Sequence, residues 1–127
     1  DFEEEDIHAI EKLSEIAKPL KAKIRVVHIS TSGEYAGDLR MEWFKDMLKS
    51  KVDYPEIEFE LLFSEDIFDT LSIYLGVVNA DMVVMLEREK KGFLKKWFHR
   101  DLVKKMEDYG EVILMSFNEH NHKTLFF

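Results

Sequence analysis

Four short runs rich in apolar and β-branched residues alternate with four stretches whose apolar residues recur every three or four positions, and this alternation restricts the chain more than any other feature. Strands separated by helices are joined by right-handed crossovers. A parallel sheet with helices on both faces is therefore expected. The first stretch places Ile7, Ile10, Leu13, Ile16, Ala17 and Leu20 behind an acid-rich turn, predicting a helix over 4–19 that weakens where Pro19 removes a donor. Residues 23–30 (KIRVVHIS) read as a buried strand, closed by Thr31, Ser32 and the turn residue Gly33.

Leu39, Trp43, Met47 and Leu48 form the next helical stripe, which ends before Asp53, Tyr54 and Pro55. Residues 56–63 (EIEFELLF) alternate charged and apolar, as an edge strand wet on one face does. Ser64 is the expected N-cap of a third helix whose apolar set is Ile67, Phe68, Leu71, Tyr74, Leu75 and Val78. Residues 80–86 (ADMVVML) form a continuous apolar strand. A fourth helix near 99–108, Gly110 as its stop, and a last strand over 112–117 complete the order αβαβαβαβ. No repeat or linker interrupts it, so residues 1–127 read as one domain.

At 127 residues and 46% hydrophobic content the chain can fill a core, and with no cysteine it has neither disulfides nor thiolate metal ligands. No apolar run approaches the roughly 20 residues that span a bilayer, and the acidic start is the reverse of a signal peptide's, so a soluble cytoplasmic protein is expected. The net charge of -8 argues against nucleic acid and anionic membrane as partners. Eight basic residues (Arg88, Lys90, Lys91, Lys95, Lys96, Arg100, Lys104 and Lys105) nevertheless share one stretch, and Lys90, Lys91, Lys95 and Lys96 are candidates for docking an acidic partner.

Three segments resemble the universal stress protein family. Asp1-Phe2 leads into a helix as that family's Asp does just after its first strand. Val26-Val27-His28-Ile29 is similar to the family's strand ending in His-Val. Most specific is Ala80-Asp81-Met82-Val83-Val84-Met85, followed by a basic loop, a helix and Val112-Ile113-Leu114-Met115. The resemblance implies a doubly wound, Rossmann-like α/β domain of strand order 3-2-1-4-5, acting in stress responses, commonly dimeric and often one of two domains in a chain. It also implies a first strand ahead of Asp1. The expected order is thus 3-2-(1)-4-5 with strand 1 absent, in a piece of a longer tandem protein or with a strand from elsewhere filling the slot.

ATP-binding members of the family share a Gly-x-x-Gly-x9-Gly-Ser/Thr loop after the fourth strand. On this chain those positions hold Leu86, Glu89, His99 and Arg100, and none matches. Such a loop needs glycine because only a residue without Cβ takes φ > 0 cheaply and lets backbone amides approach phosphate closely. Glu87 and Glu89 would face a polyphosphate, and Asp101 already complements the following helix dipole. Glu3 also stands where the family usually has a small hydroxyl residue. Should a nucleotide bind, the resemblance points to Asp1 for the adenine, with His28, Arg88 and Arg100 as the remaining candidate contacts.

His120 and His122 have a metal-capable spacing but no tell-tale partner beyond Glu119, and a solvated tail is the plainer reading. His28 at a strand end is either a base above the sheet's carboxyl edge or a residue that packs. Gly92-Phe93-Leu94-Lys95-Lys96-Trp97-Phe98 mixes aromatics with lysines, and docking of Leu94, Trp97, Phe98, Leu102 and Met106 on the core accounts for it without a membrane. No nucleophile elbow or phosphate-cradling glycine motif occurs. The expectation is a non-enzymatic, cofactor-free stress-response domain that acts by association. The alternative is a nucleotide-binding stress protein whose basic loop replaces the glycines. Self-association is expected through the uncharged last strand, Val112, Ile113, Leu114 and Met115, unless the tail over 123–127 folds back to cover it.

Overall fold

A computed structural model describes residues 4–31, 37–87, 102–118 and 124–126. The elements follow in the order α1 (Glu4–Leu20), β1 (Ile24–Ser30), α2 (Gly37–Lys51), β2 (Ile57–Phe63), α3 (Ile67–Val77), β3 (Met82–Glu87), a helix α4 over residues 102–109, β4 (Ile113–Asn118) and β5 (Thr124–Phe126). This is a mixed α/β architecture with parallel strands in two small sheets, and it divides into two compact units, Asp1–Glu65 and Asp66–Phe127.

In the first unit β1 and β2 pair in parallel, from Ile24 opposite Ile57 to Ser30 opposite Phe63. The main-chain bonds Ile24 N–H to the Glu56 carbonyl (2.9 Å) and Ser64 N–H to the Ser30 carbonyl (3.0 Å) carry the ladder past both ends. Helices α1 and α2 cover one face. Ile7 from α1 meets Phe44 and Leu48 from α2 and Val52, with Val26, Ile57 and Phe59 of the strands packed against them. The Phe44 and Phe59 rings meet edge to face at 6.5 Å. On the other face Glu58 bridges Lys23 (3.0 Å) and Arg25 (2.8 Å) in water.

The apolar stripe of α2 is rotated from the one expected. Met41, Phe44 and Leu48 are buried, whereas Trp43 is 47% exposed. The physical reason is that positions i, i+3 and i+7 are as coherent on a helix as i, i+4 and i+8, and the strand faces offer Phe59 as a ring partner for Phe44.

The three-stranded sheet of the second unit has the order β3-β4-β5. β3 and β4 run parallel, with Val83 opposite Leu114, and these two residues join Leu75 of α3 and Met106 of α4 in a core flanked by Phe68, Leu71, Met85 and Val103. Phe68 and Tyr109 meet edge to face at 6.4 Å, tying α3 to α4.

Helix ends show how sequence sets these elements. The cap of α3 is Asp66, not Ser64: its carboxylate accepts the Asp69 N–H at 3.0 Å, while Ser64 is held back by its bond to β1. At the other end of α3, Asn79 turns left-handed (φ 52°), and Asn79 N–H to Gly76 and Ala80 N–H to Leu75 close the last turn. Lys21 (φ 52°) does the same for α1, through Lys21 N–H to Lys18 and Ala22 N–H to Ala17, so the helix runs through Pro19 before it stops. The Tyr54 hydroxyl donates to the Ala22 carbonyl and pins this corner. Gly110 (φ 67°) ends α4 as expected.

The last strand begins at Ile113, one residue later than expected, with Val112 half-buried against the core. Its far edge is not open. β5 lies antiparallel along it, with Met115 opposite Phe126 and Phe117 opposite Thr124, which is the tail arrangement foreseen as the alternative to self-association. Among the described residues, no helix is long and apolar enough to cross a membrane.

Candidate functional site

Parallel sheets bind ligands beyond the carboxyl ends of their strands. In the first unit that position is the end of β1. His28 lies there, half-buried and opposite Leu61 in β2. Two residues on, and therefore on the same strand face, Ser30 is 2% exposed, and its hydroxyl has no hydrogen-bond partner among the described residues. Leaving such a group unpaired costs on the order of 1–3 kcal/mol. In the sequence Ser30 stands out only as the last residue of the strand. Its signal is a small hydroxyl residue closing a mostly apolar strand, two positions after His28.

The other carboxyl end belongs to β3. Here Leu86 and Glu87, where a glycine-rich phosphate loop would open, remain in the ladder opposite Phe117 and Asn118 of β4. Leu86 is not among the residues of positive φ, which in the described chain are Lys21, Asn79 and Gly110. Extended, paired backbone aims successive amides to alternate sides and makes no concave amide nest for a phosphate.

Asp1, Arg88 and Arg100, the remaining candidate nucleotide contacts, lie outside the described residues. So do Glu89, His99, the basic residues Lys90, Lys91, Lys95 and Lys96, and the pair His120 and His122. Of the cofactor contacts expected, only His28 is placed. No group of three His, Asp or Glu side chains that would hold a metal occurs among the described residues.

Among the described residues, Glu58 and Tyr109 depart from their ordinary ionisation. The hydrogen bond from Lys23, with the Lys23 and Arg25 charges, holds Glu58 below the usual carboxylate range against a smaller opposing effect of burial. Partial desolvation pushes the Tyr109 phenol up, helped by its hydrogen bond to Glu111 and that residue's charge. Both have structural partners and neither lies at a strand's carboxyl end.

A different feature sets β3 apart. Among the described residues it pairs with β4 alone, yet Met82, Val83, Val84, Met85 and Leu86 are apolar on both strand faces. β2, by contrast, carries Glu58 and Glu60 as an edge strand should. No protein-family model matches this chain, nor does a curated protein or a solved structure.

Proposed function

We propose that this chain is a universal stress protein-type domain of the cytoplasm, non-enzymatic, that does not hold ATP through a glycine loop and acts by association with another domain or partner. The observation supporting it is the continuation of β3 through Leu86 and Glu87 in register with β4, where an ATP-holding member would turn into its phosphate loop. Within each unit the parallel pairing, β1 with β2 and β3 with β4, supports a doubly wound, Rossmann-like order 3-2-(1)-4-5. Association through Ile113, Leu114 and Met115 requires β5 to leave the edge of β4, so the self-pairing of this strand is a secondary route.

The experiment is thermal unfolding with millimolar ATP and magnesium, together with mass spectrometry of small molecules released on denaturation. Saturation at a hundred times Kd would add roughly 2.7 kcal/mol of stability. The expected result is no shift and no copurified nucleotide. A magnesium-dependent shift specific to ATP overturns the reading.

A second reading has its own observation. The buried Ser30 hydroxyl, without a partner among the described residues and on the same strand face as His28, favours a small polar ligand at the end of β1. Under that reading the shift appears in the parent chain and is lost in Ser30→Ala.

A further inference from the structure

We infer that the outer face of α3 docks an amphipathic helix of a partner protein, apolar along one stripe and basic at both ends. α3 carries Ile67, Phe68, Leu71, Ile73, Leu75 and Val77 among its eleven residues, and a helix apolar all round belongs in an interior. Leu75 turns inward to join Val83, Met106 and Leu114. Ile73 and Val77 stand two residues to either side of Leu75, a spacing that places both on the opposite face, and they are 61% and 77% exposed. Gly76 lies beside Val77, exposed as well. Neither backbone nor crowding calls for a glycine there: its φ is not positive, and a Cβ would meet nothing within 4 Å. Glycine inside a helix is destabilising relative to alanine, so what Gly76 offers is close approach of another backbone.

Charge selects the occupant. Asp66 and Asp69 are exposed at the N-terminal end of α3, Asp81 is exposed just beyond its C-terminal end, and α3 itself carries no basic residue. A second copy would set acid against acid in either direction. Asp69 would approach Asp81 with the two helices antiparallel about Leu75, and Asp69 would approach its own counterpart with them parallel; like charges so placed are unfavourable. A partner helix with lysines at both ends meets acid at both ends instead, and its apolar stripe covers Ile73 and Val77. The inference names a partner for the association proposed above, and its observations come from α3 alone, so a nucleotide shift leaves it standing.

The test uses the full chain with two acetylated, amidated peptides, KKALLAALLAKK and EEALLAALLAEE, read by NMR of isoleucine and valine methyl groups and by sedimentation. The lysine peptide should shift the Ile73 and Val77 methyls and bind about tenfold more tightly than the glutamate peptide. Asp69→Lys should weaken the lysine peptide about threefold. Gly76→Leu, a better helix former placed in open space, should keep the circular dichroism of the chain and abolish the methyl shifts. Ile73 and Val77 methyls unmoved at millimolar lysine peptide overturn the inference, as does binding indifferent to Gly76→Leu. A doubled mass without peptide that Gly76→Leu halves overturns it in favour of a second copy. Cosedimentation with phosphatidylcholine vesicles that is lost in Ile73→Ser overturns it in favour of a lipid surface.

Discussion

Phe44 and Trp43 are adjacent aromatic residues on α2 with opposite environments, and replacing each in turn tests the packing of the first unit. Phe44 is 1% exposed, enclosed with Ile7, Leu48 and Val52, and edge to face with Phe59. Removing a ring from such a site forfeits its transfer energy and leaves a cavity, in total about 3–5 kcal/mol. The ring pair accounts for roughly 0.5–1.5 kcal/mol of that. Trp43 is 47% exposed, and an arginine there lays its aliphatic stem over the same surface with its head in water. Trp43→Arg should cost under about 1 kcal/mol, while Phe44→Ala loses about 4. In urea, with a slope of about 2 kcal/mol per molar, the Phe44→Ala midpoint moves down by about 2 M and the Trp43→Arg midpoint by less than about 0.5 M. Far-ultraviolet circular dichroism follows both. Equal shifts, or a larger one for Trp43→Arg, would restore the stripe through Leu39, Trp43 and Met47 and refute the packing described here.

Lys21→Gly should stabilise by about 1 kcal/mol, because the left-handed conformation there costs a side chain what it does not cost glycine; a loss in thermal unfolding would show that the α1 terminus is not left-handed. Asp66→Ala should cost about 1 kcal/mol and Ser64→Ala much less in the same assay, the reverse order pointing to Ser64 as the α3 cap. For Glu58 the folded state holds the ionised form, so its contribution is present above the unfolded carboxylate pKa and fades as pH falls through the depressed folded value. Glu58→Gln should therefore reduce the acid-side slope of stability against pH, and a proton titration by NMR that finds Glu58 at or above an ordinary glutamate would contradict the Lys23 and Arg25 pairing. Tyr109 should ionise above ordinary tyrosine in a spectrophotometric titration, an effect that shrinks in Glu111→Gln because one of its causes is removed.

Element order was legible because period and composition are local. Ile7, Ile10 and Ala17 announce α1, and the stop at Gly110 follows from the one residue that takes φ > 0 freely. Lys21 and Asn79 adopt the same turn, and Lys21 gives no sequence warning, since the hydrogen bonds to Ala17 and Lys18 impose its conformation. The α3 cap was missed for a similar reason. Ser64 and Asp66 are both good caps by type, and what decides between them is the bond from Ser64 N–H to Ser30, a residue more than thirty positions away. The choice between Trp43 and Phe44 likewise depends on Phe59, which no pattern within α2 contains. Of the site, the apolar side chain that continues β3 at Leu86 was visible directly in the sequence. The buried hydroxyl of Ser30 was not, because orphaning is a property of surroundings.

The strand patterns contain one further distinction that the fold makes meaningful. β2 and β3 are both short and both pair with one neighbour among the described residues, yet one alternates glutamates with apolar residues and the other does not. If both strands were finished edges, the same pressure against unwanted pairing would act on both, and Val84, on the face away from the core, would tolerate a lysine as readily as β2 carries Glu58 and Glu60. That asymmetry is an argument from sequence about what lies beside a strand, and it makes Val84→Lys a discriminating change. On a finished edge it should be nearly neutral to folding. On an edge that receives another strand it should leave the circular dichroism of the chain intact while weakening association at that edge in sedimentation, because the lysine head would then stand on a sheet face beside the apolar side chains of the added strand.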